Sequence, residues 1–285
     1  MVTVAVDAMG GDRGLEEVVL GAAAVSLEDA GIEVLLVGDS ERLRAALSTV
    51  DHCADRVQVV NADDVVTQDE DPRTVLERPD ASVATAIGLV RSGQAHAMIS
   101  SGNTGALILS SGHQLSRIDG VRRAALAAVH PTERRHGPHR DPFALILDVG
   151  ATTTADAAAL CGFAVMGSVY SSIVSDIVHP RVALLSNGSE AHKGTEAIVE
   201  AHRVLAQSAM GFVGNVEGLD IPRGTVDVVV CDGFTGNVVL KMLEGVGDVL
   251  TDMAREAAQH RLEWRLGMQL LGDDLRQLRR MSDWK

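Results

Sequence analysis

Five short loops carry the residue types that could do chemistry, and each follows an apolar run that reads as a strand. The first is Asp7-Ala-Met-Gly-Gly-Asp-Arg-Gly14. Its adjacent Gly10 and Gly11 permit close backbone approach, and a helix from about Leu15 would aim its N-terminus at the same spot, beside Asp12. The second is Ser100-Ser-Gly-Asn-Thr-Gly-Ala106, where Gly102 and Gly105 flank Asn103 and Thr104, with Ser101 ahead of them. Asp148-Val-Gly-Ala-Thr152 and Ser186–Gly194 are the third and fourth; the fourth holds Glu190, His192 and Lys193. The fifth, Cys231-Asp-Gly-Phe-Thr-Gly-Asn237, repeats the layout of the second: strand, polar loop with two glycines, helix. Taken singly, such loops are also ordinary tight turns and helix caps. Several on one sheet edge would make a floor of N–H donors suited to a small oxyanion and a carbonyl under attack. No GxGxxG or GxxxxGK[ST] pattern stands at the first loop, and no GxSxG elbow is present.

The elements that must position these loops alternate along the chain. Strand candidates are Thr3–Asp7, Glu33–Val37, Val57–Val60, Ala95–Ser100, Ala124–Val129, Ala144–Asp148, Arg181–Leu185, Gly211–Val213 and Asp227–Cys231. Alanine-rich helical stretches lie at Leu15–Ala30, Ser82–Arg91, Ala155–Ile173 and Thr195–Ser208. This alternation predicts an α/β fold: a mostly parallel sheet with helices on both faces and ligands beyond the strand C-termini. One α/β domain is expected over residues 1–285, with 238–285 as an amphipathic helical extension. There Leu250, Met253, Ala254 and Ala257 keep helical spacing, as do Leu271, Leu275 and Leu278. Pro131–Pro142, with three prolines, three arginines and two histidines, reads as a surface loop.

Composition narrows the function. Hydrophobic residues make up 46% of the 285 and charged residues 22%, which suits a globular chain. Aromatic residues are only 2%, which argues against a base-stacking surface for single-stranded nucleic acid. The net charge of −14 disfavours nucleic acid generally, whereas a small phosphate can be held locally by backbone amides. Cys53, Cys161 and Cys231 form no CxxC pair, which points to a reducing cytoplasm and away from thiolate-bound metal. No signal-peptide pattern opens the chain, and no uninterrupted apolar run of 18 residues occurs.

The loops also carry a family resemblance. Asp7-Ala-Met-Gly-Gly-Asp12, Ser101-Gly-Asn-Thr-Gly-Ala106, Phe163-Ala-Val-Met-Gly-Ser168, Gly214-Asn-Val-Glu-Gly218 and Asp227–Val238 resemble, in order, the phosphate acyltransferase family PlsX. The resemblance implies a Rossmann-like three-layer αβα fold, a homodimer, and a cytoplasmic enzyme that touches the inner membrane face peripherally. It implies transfer of a fatty acyl group from acyl carrier protein to inorganic phosphate, supplying acyl phosphate for phospholipid synthesis, with no cofactor and no metal. The chain departs from the family at Arg13, where a histidine is common, and at Thr152, where asparagine is usual. The Ser186–Gly194 loop keeps Glu190, Lys193 and Gly194. The family pattern continues past Lys285 through a further glycine-rich segment and strand.

Roles follow as expectations. Gly10, Gly11, Asp12, Ser101, Gly102, Thr104 and Gly105 cradle phosphate, with Asn103 donating to it. Lys193 offers a cation to phosphate or to the departing thiolate, and Asp232 orients a phosphate oxygen or a donor. Asn237 donates to the acyl oxygen, with Gly233, Thr235 and Gly236 shaping its loop. Arg255–Lys285 holds seven basic and five acidic residues. Within it Arg261, Trp264, Arg265, Arg276, Arg279 and Arg280 are the candidates for carrier-protein or membrane contact. The alternatives are an acyl-CoA-using phosphotransacetylase-like enzyme, a paralogue acting on an unusual acyl group, and a non-catalytic acyl or phosphate sensor.

Overall fold

The computed structural model describes residues 1–11 and 14–260. The chain divides into two compact units, Met1–Asp119 and a second beginning at Gly120. The single sheet expected from the sequence is two sheets, one in each unit.

In the first unit β1 (Val2–Asp7), β2 (Ile32–Gly38), β3 (Val57–Asn61) and β4 (Ala97–Ser100) form a parallel sheet in the order β3-β2-β1-β4. Strand β2 shows why the sheet has two covered faces. Val34 and Leu36 pack with Leu15, Val19, Leu43 and Leu47, from α1 (Leu15–Glu28) and α2 (Ser40–Leu47). Leu35 and Val37, alternating with them, face the other way onto Ala86 and Leu89 of α3 (Ser82–Arg91). The three-layer reading therefore holds within this unit. Helix α4 (Thr104–Gln114) and a 3-10 helix, Pro72–Glu77, complete it. Helix α2 was not anticipated: it is eight residues long and buries only Leu43 and Leu47. Its start is fixed by Asp39, whose carboxylate accepts the Glu41 and Arg42 amides.

In the second unit β5 (Ala127–His136), β6 (Asp141–Leu147), β7 (Val182–Leu185), β8 (Phe212–Val216) and β9 (Val228–Val230) take the order β5-β6-β9-β7-β8. Only β5 runs antiparallel. Leu145, Leu147, Val182, Leu184, Val228 and Val230 face α5 (Ala157–Val174) and α6 (Glu196–Leu205). Ile146, Ala183, Val229 and Cys231 form the opposite core with Val239, Leu240 and Leu243 of α8 (Gly233–His260). A short helix, α7 (Asp220–Arg223), precedes β9. Phe163, 1% exposed, fills the α5 face, and burying such a ring contributes about 2–3 kcal/mol. Helix α5 is long and apolar enough to cross a membrane by length and composition, yet its inner face builds this core.

The segment Pro131–Pro142 is not a surface loop but most of the β5–β6 hairpin, turning between Gly137 (φ 61°) and Arg140 (φ 53°). Strand β5 is an edge strand, where proline costs no ladder bond on its open side. His136 points inward, 2% exposed, with Nδ1 2.5 Å from Asp227 Oδ1. Arg181 binds the same carboxylate at 2.9 Å. Burial raises the Asp227 carboxyl, but the bonds from His136 and Arg181 outweigh it and hold the group far below the usual carboxylate range.

Candidate functional site

In the first unit the site is built by the two loops that leave β1 and β4. Asp7, at the end of β1, is 2% exposed. Its Oδ1 accepts the Met9 amide at 3.1 Å and its Oδ2 accepts the Ser100 hydroxyl at 2.7 Å. Ser100 Oγ in turn accepts the Gly102 amide at 3.0 Å. The two glycine loops therefore lie backbone against backbone: a Cβ at Gly10 would come 2.6 Å from Gly102 Cα. Ser101 and Thr104 are exposed beside this contact. Thr104 opens α4, so the first amides of that helix face the same region and favour an anion. The structure thus brings Gly10, Gly11, Ser101, Gly102, Thr104 and Gly105 together; Asp12 lies outside the described residues.

Asn103 has a different job from the one expected. Its Oδ1 accepts the Ala106 amide, capping α4, and its Nδ2 donates to Thr67 O and Glu70 O, all at 3.1 Å. Both amide hydrogens are used, so none is left to donate to phosphate. The partners were invisible in the sequence because they are main-chain carbonyls some 35 residues upstream. The segment Thr67–Glu70 leans on the second glycine loop again through Gln68, whose Nε2 donates to Ser101 O at 3.0 Å. A hydrogen bond from the Thr67 amide, with Arg78 2.8 Å away, holds the Glu70 carboxyl below its ordinary range.

In the second unit the loops after β6, β7 and β9 share the C-terminal edge of the sheet. Asp148, fully buried, accepts four amides: Leu126, Gly150 and Ala151 on Oδ1, and Thr152 on Oδ2. The carboxylate is the core around which the Asp148–Thr152 loop folds, a role not read from the sequence. Thr152 Oγ1 accepts the Gly233 amide at 3.1 Å, and a Cβ at Gly236 would overlap the Asp148 carbonyl oxygen. Helix α8 thus begins seated on that loop.

Asp232, expected to orient phosphate, is the cap of α8: Oδ1 accepts the Thr235 amide at 2.9 Å and Oδ2 the Thr235 hydroxyl at 2.8 Å. Asn237 is exposed one turn into the helix, where it can donate to a ligand. Burial, with the charges of Asp232 and Asp148, pushes the Cys231 thiol up to about 12, so it stays protonated and is a poor nucleophile. Lys193 is half-buried in the loop after β7; its amide donates to Glu190 O at 3.0 Å. Arg261, Trp264, Arg265, Arg276, Arg279 and Arg280 lie outside the described residues.

Fold and loops together define an α/β protein whose strand-end turns present main-chain amides and a few uncharged donors. Its fold is that of a phosphotransacetylase from Streptococcus pyogenes (TM-score 0.61, 17% identity, covering 86% of this chain and 82% of that one). The EutD phosphotransacetylase from Staphylococcus aureus is also similar in fold (TM-score 0.60, 15% identity, 87% and 82%). The chain belongs to the fatty acid synthesis protein family, whose model matches residues 2–285. It is 39% identical to a phosphate acyltransferase of Nostoc punctiforme over 284 residues, 99% of this chain and 82% of that protein. It is 41% identical to a phosphate acyltransferase of Thermosynechococcus vestitus over 282 residues, 98% and 80%.

Proposed function

We propose that this chain transfers an acyl group from a thioester to inorganic phosphate. A phosphate oxygen attacks the thioester carbonyl, the carbon–sulfur bond breaks, and the products are an acyl phosphate and a thiol that takes up the phosphate proton. Phosphate is a competent nucleophile near neutral pH, so the protein's task is positioning and charge stabilisation. Positioning can supply up to about 7–11 kcal/mol and one oxyanion donor about 3–4 kcal/mol. The observation that carries the reading is the backbone contact of the Gly10–Gly11 and Gly102–Gly105 loops at the start of α4, with Ser101 and Thr104 exposed beside it. That is an anion cradle made of amides and hydroxyls, and it belongs to a chain about 40% identical to phosphate acyltransferases. Within the second unit, Lys193 is assigned a cationic role and Asn237 a donor role toward the substrate.

The donor in this proposal is an acyl carrier protein thioester, and the product serves phospholipid synthesis. The protein works in the cytoplasm as a homodimer that touches the membrane peripherally. Support for the dimer comes from the apolar outer faces of α5 (Val165, Val169, Ile173) and α8 (Val238, Met242, Val246), all at least 49% exposed. Incubation with the acyl thioester of acyl carrier protein and phosphate should yield a hydroxylamine-reactive acyl phosphate. Turnover with acyl-CoA but not with the carrier thioester would reassign the donor; binding of either without product would make the protein a sensor.

A further inference from the structure

We infer that Asn215 and His202 are positioning residues for Lys193; the inference rests on the cationic role given to Lys193 above. Asn215 stands on β8 beside Leu184 of β7, at the edge from which the Ser186–Gly194 loop departs, and is 7% exposed. Its Nδ2 donates to Glu190 O at 3.0 Å and reaches Lys193 O at 3.5 Å. Only an amide nitrogen can face two carbonyls, so Oδ1 must point the other way, where His202 Nδ1 lies at 3.0 Å. A carbonyl oxygen has no hydrogen to give, so Nδ1 of His202 carries it. The donors then run in one direction, from α6 through Asn215 into the loop. The His202 ring is held in turn by an edge contact with Phe212, centroids 5.1 Å apart at 84°.

The loop end of this chain is Lys193 itself. Glu190 O accepts the Lys193 amide at 3.0 Å as well as the Asn215 amide, so the turn is closed and anchored at one atom. The lysine stem crosses Gly188, where a Cβ would come 2.9 Å from Lys193 Cγ. Backbone and stem are both placed, and the ammonium is the end left to meet a substrate. No residue in this arrangement other than Lys193 needs to touch the reactants. A cation shifted by even about 1 Å loses much of its effect on a developing charge.

The test uses the full chain and acyl-phosphate formation at varied phosphate. Lys193→Ala sets which constant, kcat or the phosphate KM, depends on the cation. Asn215→Leu and His202→Phe should move that same constant about three- to tenfold, the size expected for one or two lost hydrogen bonds. His202→Gln, which keeps a donor, should recover most of it. Asn215→Leu added to Lys193→Ala should change nothing further. Additive effects, or a different constant moved, overturn the inference. If Lys193→Ala changes neither constant while the wild type makes acyl phosphate, the role of Lys193 falls, and this inference with it, leaving acyl transfer standing. If the wild type makes no acyl phosphate, the function itself falls and the inference with it. Hydrogen exchange provides a check independent of activity: Asn215→Leu should speed exchange of the Lys193 amide, and unchanged protection refutes the anchor.

Discussion

The Asp7 carboxylate accepts the Ser100 hydroxyl at 2.7 Å, joining the ends of β1 and β4 across 93 residues of chain. Ser100 Oγ also accepts the Gly102 amide, so one hydroxyl sets the spacing of both glycine loops. Replacing Ser100 by Ala leaves the Gly102 amide and one oxygen of a buried carboxylate without their partner. That should cost about 1–3 kcal/mol in urea unfolding and lower acyl-phosphate formation more than tenfold. Ser100→Thr, which keeps the hydroxyl, should retain more of both. Full activity in Ser100→Ala would show that the loops hold their geometry without it.

Asn103 separates a cap from a ligand donor. Asn103→Ala removes the α4 cap and two bonds to the Thr67–Glu70 segment, for an expected loss of about 2 kcal/mol. Asn103→Asp keeps the cap oxygen but sets a carboxylate oxygen against two carbonyls, so it too should destabilise. In both variants proteolysis should begin within Thr67–Glu70. An Asn103→Ala protein as stable as wild type yet inactive would restore the direct role in binding phosphate.

Asp227 predicts an acid dependence. Its carboxyl is held far below its unfolded value near 4, so its stabilising contribution is complete above that pH and is lost as pH falls below it. Asp227→Asn leaves His136 buried without its carboxylate and should cost about 3 kcal/mol at pH 7. The gap between wild type and variant, measured by urea midpoints, should narrow at pH 3. A gap of equal size at both values would mean that the ion pair does not carry the stability.

Most strands were legible because they are short apolar runs bounded by glycine or aspartate, as Ile32–Gly38 is by Gly31 and Asp39, and Val228–Val230 by Asp227 and Asp232. What periodicity does not encode is which strands share a sheet, so the division into two sheets was not foreseen. The β5–β6 hairpin was hidden because Arg134, Arg135 and His136 look solvated until Asp227, 91 residues later, is brought to His136. At the site, residue type was legible but role was not. Asn103 and Asp232 are the side chains that bind anions or groups around them, and also the ones that cap helices; the structure uses both as caps. Asp148 carries no signal because its partners are backbone amides, and Asn215 carries none because two loop carbonyls and the His202 ring meet it only in the folded chain.

Two glycines of α8 should respond in opposite senses to the same change. A Cβ at Gly236 overlaps the Asp148 carbonyl oxygen and comes 2.9 Å from Cys231 Sγ, so Gly236→Ala must lift the start of the helix from the loop beneath it. Overpacking of this kind costs about 1–3 kcal/mol. Because Asn237 follows directly, turnover should fall with it. At Gly245, two and a half turns on, nothing lies within 4 Å of an added Cβ. There Gly245→Ala gains helix propensity and should stabilise by about 0.5–1 kcal/mol with activity unchanged. Urea midpoints for the pair decide the matter. If both variants shift the same way, α8 is not seated tightly on the Asp148 loop.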